Sequence, residues 1–368
     1  MQNNLERIVK PLLAWFHASA RVLPWREHPE PYRVWVSEIM LQQTRVEAVK
    51  PYFERFMEAL PDVESLAKAE EETLLKLWEG LGYYNRVRNM QKAAVQIMEV
   101  HGGKLPADYE ALCELSGIGS YTAGAIASIA YGLRVPAVDG NVLRVISRIQ
   151  AWDDDITKAS VKKNMEKELL AVMPGEAGAF NQALMELGAM VCIPNGKARC
   201  ESCPLEEICQ ARQKGMVDKL PVKSPKKQRR IEKKTLLLLG HGDVTAIRKR
   251  DSKGLLAGMY EFPFIEGWVS KDAVAEYCRE VGNEVLDIRE LPDSKHIFSH
   301  VEWHMKAYAV EIQTSLPNQN ELLFVTEAET NNMYPIPAAF AAYRSYLNRV
   351  NIWTDKDMKH TEKNNYSK

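Results

Sequence analysis

The stretch that decides the fold of the first half of the chain is LSGIGSYTAGAIASIAYG, residues 115–132. One helical segment is predicted to end near Leu115, and a helix of small residues to begin at about Tyr121. Between them, Gly117 and Gly119 permit a tight turn with a close backbone approach. Backbone N–H groups at the start of a helix form an anion site that suits a DNA phosphate. A plain turn between helices is the commoner meaning of an isolated Gly-x-Gly, so this motif alone leaves both interpretations open.

The regions on either side of this turn differ in their hydrophobic period. Over residues 1–211 apolar side chains recur at helical spacing, and Pro and Gly separate the segments. Further on, KTLLLLG (234–240) and MKAYAVEI (305–312) are short β-like runs, with amphipathic helical patterns among them. The pattern predicts an all-α domain over residues 1–211, followed by a smaller α+β domain over residues 233–350.

The length and composition are those of an ordinary globular protein. The chain has 368 residues, of which 46% are hydrophobic and 26% charged, and this length corresponds to about two domains. The longest apolar run, residues 124–133, is shorter than the ~18 residues that a membrane span needs. The N-terminus lacks the pattern of a signal peptide. We therefore expect a cytoplasmic protein with no membrane segment.

Basic residues are concentrated between the two predicted domains. The whole chain has a net charge of −1, yet from Arg212 to Lys234 ten Lys and Arg residues stand against two acidic ones. A solvated linker and a polyanion-binding segment are both consistent with such a run. We expect residues 212–232 to be a basic inter-domain linker. The tail over residues 351–368 has almost no apolar content and is predicted to be disordered.

Four of the six cysteines lie close together, at Cys192, Cys200, Cys203 and Cys209. Four thiolates at this spacing can converge on one metal centre, and disulfides are not expected in a cytoplasmic chain. Zinc and a [4Fe–4S] cluster both accept four cysteines, and the spacing alone does not decide between them. The two remaining cysteines lie on helical patterns and are expected to be packed residues.

Two carboxylates stand in unusual surroundings. Glu38 lies within VWVSEIMLQQT (34–44), which contains no basic residue, and Asp139 lies in VPAVDGNV (135–142), directly before a predicted helix. A lone Glu on a helix is most often solvated, and an Asp before Gly-Asn is most often a turn or N-cap residue. Each carboxylate taken singly therefore favours a structural role.

Taken together, five segments resemble the helix-hairpin-helix DNA glycosylases of the endonuclease III superfamily, and within it the branch that removes adenine. In the order seen in that family they are VWVSEIMLQQTRVEAV (34–49), LWEGLGYYNRVRN (77–89), the hairpin at 115–132, VPAVDGNVLRV (135–145) and the four-cysteine loop (192–209). The resemblance covers residues 5–210 strongly and the second domain more loosely. It implies a DNA repair enzyme that acts on duplex DNA at the nucleoid of a bacterium.

The resemblance implies removal of adenine paired with 8-oxoguanine or guanine, after the base is flipped out of the duplex. The reaction needs a proton on the leaving base and a negative charge near the sugar, where an oxocarbenium-like species forms. By resemblance Glu38 is the general acid, and its apolar flanks favour the protonated form. Asp139 is the ionised carboxylate that stabilises the sugar cation, and Asn141 positions it.

Position 121 separates two related chemistries. Relatives that also cut the DNA strand carry a lysine there, which forms a Schiff base with the sugar. Here the residue is Tyr121, so the resemblance implies a monofunctional glycosylase. A bifunctional glycosylase/lyase is the first alternative. The second alternative is a non-catalytic, metal-stabilised DNA-binding protein. This interpretation would be correct if Glu38 and Asp139 had only structural roles.

The resemblance also assigns residues that contact DNA. Arg26 is placed near the adenine pocket, and Gln43 and Tyr83 are inserted into the base stack around the 8-oxoguanine. Each has a structural alternative, since an isolated aromatic such as Tyr83 is more often a core residue. The full implied set of DNA-binding residues is Arg26, Gln43, Thr44, Tyr83, Gly117, Gly119, Phe298, Ser299 and His300.

By resemblance the four cysteines hold a structural [4Fe–4S] cluster, which orders a loop whose Lys197 and Arg199 meet DNA phosphates. The family has six residues between the first two cysteines, whereas seven separate Cys192 from Cys200 here. Ser116 also stands where the family usually has proline. The extra residue can be absorbed in a loop that contains Pro-Asn-Gly.

The second domain resembles the MutT/Nudix-like domain of the same branch, at GMYEFP (258–263) and HIFSH (296–300). Phe298–His300 match the loop that inspects 8-oxoguanine. Nudix hydrolases hold Mg²⁺ with paired acids on a helix, and the matching segment REVG (279–282) lacks them, so pyrophosphate hydrolysis is not expected. We expect a monomer, and a contact with a replication clamp is left open.

Overall fold

The structure, a computed structural model, describes residues 4–225, 228–313 and 322–348. The predicted disorder of residues 351–368 falls outside these ranges. No helix in the described part of the chain is long and apolar enough to cross a membrane.

Contacts within the chain divide it into two compact units. The first unit comprises the described residues of Met1–Ala69 and Asn85–Lys226, and the second those of Glu70–Tyr84 and Lys227–Lys368.

This division differs from the predicted boundaries in two places. Residues 70–84 lie inside the predicted first domain, yet they associate with the second unit, where Lys76 Nζ donates a hydrogen bond to the backbone oxygen of Thr330 at 2.8 Å. The first half of the predicted linker packs on the first unit. There Leu220 is buried, and its backbone oxygen accepts a hydrogen bond from Arg148 at 3.0 Å. Such long-range contacts have no local sequence signal.

The described residues of the first unit form helices and turns and contain no strand. Several helices begin where the sequence offers a capping side chain, as at Asp62 and Asp108. In chain order the helices up to residue 213 are α1 (Asn4–Ser19), α2 (Pro24–Glu27), α3 (Pro31–Leu41), α4 (Val46–Ala59), α5 (Val63–Lys68), α6 (Glu71–Leu77, in the second unit), α7 (Asn85–Val100), α8 (Tyr109–Cys113), α9 (Ser120–Ile129), α10 (Gly140–Gln150), α11 (Ala159–Ala171), α12 (Ala177–Met190) and α13 (Gln210–Gln213).

One hydrophobic core of the first unit is built from apolar faces of α1, α10, α11 and α12. Leu5, Ile8 and Leu12 recur at spacings of three and four residues, so they share one face of α1, and all three are fully buried. Truncation of one such leucine to alanine costs about 2–5 kcal/mol of stability. This core fixes α10 and α12, which carry residues of the site described below.

Two glycines let backbone segments approach each other where the site is built. A Cβ atom on Gly124 of α9 would lie 2.2 Å from the backbone oxygen of Pro136, and one on Gly188 of α12 would lie 2.6 Å from the Cβ atom of Asn141. A larger side chain would push α9 away from the segment that precedes α10, and α12 away from the start of α10. Both close approaches therefore help to place Asp139.

The second unit contains one mixed sheet. Its elements after residue 227 are β1 (Arg230–His241), β2 (Val244–Lys249), β3 (Tyr260–Glu261), β4 (Phe264–Glu266), α14 (Lys271–Glu280), β5 (Val285–Ile297), β6 (Val301–Ile312), β7 (Leu322–Thr326), α15 (Glu327–Asn332) and the 3-10 segment Ala338–Leu347. The strand order is β3-β2-β1-β6-β5, with β4 beside β1 and β7 beside β2. β1 and β6 run parallel, and the other neighbouring pairs are antiparallel.

Both faces of this sheet are buried over part of their area, because successive side chains of a strand point to opposite faces. On one face Leu236 and Leu238 of β1 pack towards the 3-10 segment, which contributes Phe340. On the other face Leu237 and Leu239 of β1 pack with apolar residues of α14. Helices thus cover both sides of the sheet. The predicted order, an all-α domain followed by a smaller α+β domain, is confirmed.

Candidate active site

Glu38 lies on α3, where most of the neighbouring side chains are apolar and buried. The Glu38 side chain is itself buried. Burial raises the pKa of its carboxyl to about 7, although the hydrogen bond from Tyr121 lowers it in part. Near neutral pH the carboxyl therefore holds its proton in a large fraction of molecules, and it can donate that proton to a bound group.

Tyr121 lies in the first turn of α9, and its hydroxyl donates a hydrogen bond to Oε2 of Glu38. The Sδ atom of Met185 lies 3.3 Å from the same hydroxyl. Burial, and next the charge of Glu38, raise the pKa of the Tyr121 phenol well above its ordinary value. The phenol therefore stays protonated and serves as a hydrogen-bond donor.

Asp139 is the N-cap residue of α10. Its Oδ1 atom accepts hydrogen bonds from the backbone N–H groups of Asn141 (2.9 Å) and Val142 (2.8 Å), and Oδ2 accepts one from Asn141 Nδ2 at 2.7 Å. Burial raises the pKa of Asp139, and these hydrogen bonds oppose the rise. Donors at the positive end of a helix favour the ionised form. The charge of Asp139 in turn contributes to the raised pKa of Glu38.

The structure thus brings together four residues that the sequence predicts as one site: Glu38, Tyr121, Asp139 and Asn141. Three helices supply them, since α3 carries the glutamate, α9 the tyrosine, and the start of α10 the aspartate with its asparagine. The two carboxyls have different sets of donors, and the hydrogen bonds to Asp139 favour its ionised form. A protonated and an ionised carboxyl side by side can perform acid-assisted cleavage of a glycosidic bond.

Arg26, at the end of α2, is fixed by a buried carboxylate that the sequence pattern does not reveal. Its Nη2 atom donates to Oε2 of Glu186 at 2.9 Å, and Arg21 Nε donates to Oε1 of the same group at 2.7 Å. Burial opposes ionisation, but the two guanidinium groups bring the pKa of Glu186 down to about 2. The charge of Arg26 also acts on Glu38 and lowers its pKa. Glu186 therefore positions a cation close to the acid.

The turn after α3 carries Gln43 and Thr44. Arg86 fixes this turn, because its Nη1 atom donates to the backbone oxygens of Ile39 at 2.7 Å and of Gln42 at 2.6 Å. Gln43 has a φ of 61°, a backbone conformation uncommon outside glycine. Strained residues of this kind often occur at ligand sites, where the surroundings hold them in place.

Tyr83 belongs by its contacts to the second unit. Its side chain is 50% exposed, its φ is 49°, and its hydroxyl accepts a hydrogen bond from Ser299 Oγ at 3.3 Å. The neighbouring Tyr84 is buried. Tyr84 is therefore the aromatic residue that packs in the core, while Tyr83 presents its ring to solvent. Two residues that the resemblance links to the same base, Tyr83 and Ser299, are in direct contact.

The hairpin before α9 has the predicted tight turn. Gly117 has a φ of +76°, and a Cβ atom there would lie 2.7 Å from the Cβ atom of Asn89, so glycine is required on both counts. Gly119 is the N-cap residue of α9, and the space where its Cβ atom would lie has no atom within 4 Å. Close by, Lys162 Nζ donates to Ser120 Oγ at 3.0 Å. The open start of α9 is accessible to an anion.

The loop between β5 and β6 carries Phe298, Ser299 and His300. The Phe298 ring packs edge to face on His296 (centroids 4.6 Å apart) and on Trp303 (4.9 Å). Ser299 and His300 are exposed. An anchored aromatic therefore holds a loop whose next two side chains face solvent.

The four predicted cysteine ligands lie in one region of the first unit. Burial, and then the neighbouring thiols of Cys192, Cys209 and Cys200, raise the pKa of the Cys203 thiol to about 12. Arg148 Nη1 lies 3.2 Å from the Cys192 sulfur. In the described part of the chain no three His, Cys, Asp or Glu side chains converge closely enough to hold a single metal ion.

Two kinds of metal centre use a donor set of this type. A tetrahedral zinc site binds four thiolates to one ion, and a [4Fe–4S] cluster binds each thiolate to a different iron atom. Four neighbouring thiols supply the donors of either centre.

Arg144 connects the cysteine region with Asp139. Its Nη2 atom donates to Oδ1 of Asn141 at 2.9 Å and to the backbone oxygen of Gly188 at 2.7 Å, and its Nε atom donates to the backbone oxygen of Cys192 at 2.7 Å. Arg144 is buried on α10. Its sequence position gives no sign of this role, because an arginine within a helix is usually solvated.

Comparisons with known proteins identify the family to which this fold belongs. The family model of the HhH-GPD superfamily of base excision DNA repair proteins matches residues 36–170, and that of the NUDIX domain matches residues 235–345. A thermostable thymine-DNA glycosylase is 26% identical with a TM-score of 0.51, over 57% of this chain and 97% of that one. An endonuclease III in a non-covalent DNA complex is 25% identical with a TM-score of 0.50, over 59% and 99%. Fold and comparisons together define a helix-hairpin-helix DNA glycosylase of the endonuclease III superfamily, followed by a Nudix-like domain.

Named relatives narrow this class. The adenine DNA glycosylase of Homo sapiens is 34% identical over 83% of this chain and 67% of that protein. The adenine DNA glycosylase of Schizosaccharomyces pombe is 31% identical over 94% and 90%, and that of Buchnera aphidicola subsp. Baizongia pistaciae 32% identical over 79% and 82%. The chain belongs to the adenine DNA glycosylase family, and it is an enzyme of base excision repair that hydrolyses an N-glycosidic bond.

Proposed function

We propose that the enzyme removes adenine paired with 8-oxoguanine or guanine in duplex DNA, and that it does so without cutting the strand. The observation that carries the proposal is the pair of carboxyls with different donors, Glu38 under the Tyr121 hydroxyl and Asp139 at the start of α10. A flipped base and its sugar need both groups in reach at once.

In the proposed reaction, Glu38 gives its proton to N7 of the flipped adenine. The bond between the sugar C1′ atom and adenine N9 then breaks, and its electron pair leaves with the protonated base. The positive charge that develops on the sugar is stabilised by the carboxylate of Asp139, which Asn141 orients. Water adds to C1′, loses a proton to a carboxylate, and leaves an abasic site.

The proposal of monofunctional action depends on Tyr121. Strand cutting through a Schiff base needs an uncharged amine that can form a covalent bond with the sugar. A phenol whose pKa is raised well above its ordinary value stays protonated and instead donates a hydrogen bond to Glu38. We expect strand breaks to appear only after alkaline treatment of the product, and borohydride to trap no covalent complex with DNA.

Recognition of 8-oxoguanine is proposed to fall to residues that surround the base opposite adenine. The contact between Ser299 and Tyr83 supports this assignment, since it joins a residue of the Phe298–His300 loop to an exposed aromatic of the LGYYN segment. Gln43 and Thr44 are assigned to the same pair of bases, and their turn has the strained backbone described above. Gly117 and Gly119 are assigned to a DNA phosphate, and Arg26 to the adenine pocket.

Members of the endonuclease III superfamily commonly bind an iron–sulfur cluster. We propose that Cys192, Cys200, Cys203 and Cys209 hold a [4Fe–4S] cluster. When bound it would cross-link a loop of the protein and supply no chemistry to the hydrolysis. Lys197 and Arg199 of that loop are proposed to meet DNA phosphates. Analysis for iron, sulfide and zinc, with a visible absorption spectrum that zinc cannot give, tests the assignment.

The experiment that tests the proposed function is release of adenine under single-turnover conditions from duplexes that differ in one base. Adenine is placed opposite 8-oxoguanine, guanine or thymine in otherwise identical duplexes. Release from the first two and not from the third is expected. Binding without release in all three would leave a DNA-binding protein with structural carboxylates and would overturn the proposal.

A further inference from the structure

The sheet of the second unit has an exposed basic face that the proposed reaction does not use. Lys233 of β1 and Lys295 of β5 are both register partners of His304 of β6, so the three residues form one row across three strands. Lys306 stands two residues further along β6, and alternate residues of a strand share a face. We call Lys233, Lys295, His304, Lys306 and the adjoining Trp268 the basic sheet face.

Trp268 stands at the centre of this face and is 46% exposed. Its indole Nε1 donates a hydrogen bond to the backbone oxygen of His304 at 3.0 Å, which holds the ring against the sheet. The Nζ atoms of Lys233 and Lys306 lie 4.4 and 5.8 Å from the centre of that ring. The aromatic ring attracts both cations and keeps them close to each other on the surface.

Acidic residues adjoin this face, but they do not pair with the two lysines beside Trp268. Across the described residues, neither Lys233 nor Lys306 forms an ion pair with an aspartate or glutamate. Glu302 is the acid in the adjoining row, and two cations share it: Lys295 at 3.5 Å and Arg229 at 3.4 Å. The Nε2 atom of His304 lies 3.3 Å from the same carboxylate. An excess of closely spaced positive charge is complementary to a regular polyanion.

The basic sheet face continues into the loop that holds Phe298–His300. Lys295 precedes this loop on β5, and Glu302 follows it on β6. With a rise of about 3.3 Å per residue, Lys306 stands roughly 20 Å along the sheet from the loop. That distance corresponds to about six base pairs of duplex DNA.

We propose that the basic sheet face binds the phosphate backbone of duplex DNA that flanks the inspected base pair. The proposal rests on the proposed function in one respect, namely that the Phe298–His300 loop meets the base opposite adenine. Lys233 and Lys306 would each neutralise a phosphate, and Trp268 would keep both ammonium groups in position. Binding of this kind is independent of sequence and lengthens the footprint of the enzyme on one side of the lesion.

The test compares the native protein with a Lys233→Gln/Lys306→Gln double variant. Binding is measured over a series of salt concentrations, on a long duplex and on duplexes truncated to about four base pairs on one side of the lesion or the other. On the long duplex the variant should lower the slope of log affinity against log salt by about two. It should weaken binding about thirtyfold near 0.15 M salt. Truncation on the side that the face contacts should abolish the difference between the two proteins.

Two controls accompany this variant. Lys233→Arg/Lys306→Arg keeps both charges and should restore the native slope. Lys253→Gln removes an exposed lysine from a loop whose Arg250 lies 5.6 Å from the ring of Trp303, on the opposite face of the sheet, and should leave the slope unchanged.

Two results would overturn the proposal. One is an unchanged salt slope on the long duplex, and the other is an equal loss on long and truncated duplexes. A measurement of adenine release shows whether this proposal or the proposed function has failed. If the native protein releases no adenine, the proposed function fails, yet a length-dependent contribution of the lysines to DNA binding would still establish the basic sheet face. If release is normal and the slope does not change, only the basic sheet face is refuted.

Discussion

Two buried glutamates of the first unit, Glu38 and Glu186, have pKa values that are shifted in opposite directions from the ordinary value. They are 6% and 2% exposed, and burial is the largest influence on both. The pKa of Glu38 is nevertheless raised to about 7, while that of Glu186 is lowered to about 2. Within the described structure Glu38 accepts a hydrogen bond only from a tyrosine hydroxyl, whereas Glu186 accepts several from Arg21 and Arg26.

The comparison shows that the supply of donors, and not burial, decides whether a buried carboxyl is an acid or an anion. Each state fits its position. A proton that is held to about pH 7 can be given to a leaving base, and a fixed anion can hold Arg26 beside the site. Substitution of one of the two carboxyls, or of its donors, tests whether the two states are set independently.

Replacing Glu38 by Gln should have the largest effect on activity. The amide keeps the shape of the side chain but has no proton to transfer, so single-turnover release of adenine should fall about 1,000-fold, which corresponds to ~4 kcal/mol of barrier. Binding of the mismatched duplex should be retained. Glu47→Gln, at an exposed ion pair with Lys50, is the matched control and should release adenine at the native rate. If the rate of adenine release fell by less than tenfold in the Glu38 variant, the assignment of Glu38 as the general acid would be refuted.

Glu186→Gln should have the largest effect on stability. It leaves Arg21 and Arg26 without their carboxylate, and removal of one partner from a buried charge network costs about 3–5 kcal/mol. Urea unfolding at neutral pH measures this loss. Apolar replacement of all three residues together should recover most of it, because no uncompensated charge remains. A loss below ~1 kcal/mol for the single variant would show that the network is not as dry as its burial indicates.

The stability of Glu38→Gln should depend on pH in a defined way. A glutamate in the unfolded chain ionises near its ordinary value of 4.5, whereas Glu38 in the fold ionises near 7. The native fold therefore loses stability as the pH rises from the first value to the second, by roughly 3 kcal/mol. The glutamine variant has no such loss. Between about pH 4 and pH 8, the free energy of unfolding of the variant should therefore increase by this amount relative to that of the native protein. If the two proteins gave parallel curves of unfolding free energy against pH, the raised pKa of Glu38 would be contradicted.

Tyr121→Phe should have the smallest effect among the four predictions. The Tyr121 hydrogen bond lowers the pKa of Glu38, so its removal should move the alkaline limb of the pH–rate profile to higher pH. The lost hydrogen bond is worth about 1 kcal/mol, which limits the change in maximal rate to roughly fivefold. Glu186 should be unaffected, as shown by an unchanged dependence of stability on acid pH. A shift of the alkaline limb to lower pH would contradict the role of the Tyr121 hydrogen bond in lowering the pKa of Glu38.

The sequence could predict Glu38 but not Glu186, although both are single acids in apolar helical runs. Glu38 stands in a segment whose order along the chain matches a known family, and that resemblance gave it a role. Arg21 and Arg26 lie 165 and 160 positions from Glu186 along the chain, and only the fold brings them together. A local pattern shows that an acid is unusual, but the donors that set its state are not local.

The same limit applies to the fold. Hydrophobic period and glycine spacing are local properties, so they predicted the all-α and α+β regions and the turn at Gly117. They did not assign residues 70–84 to the second unit, because that depends on contacts such as Glu72 with Lys249 (2.7 Å) and with Tyr260 (2.9 Å). The four cysteines could be predicted as one group, since they lie within a short stretch of chain.

The dependence of adenine release on pH in the native protein tests most directly whether Glu38 is the acid. Rates are measured under single-turnover conditions from about pH 5 to pH 9, on a duplex with adenine opposite 8-oxoguanine. Because Glu38 must hold its proton, the rate should fall as the pH rises above about 7. A rate that is flat across the whole range, or that rises with pH, would contradict the assignment of Glu38 as the proton donor.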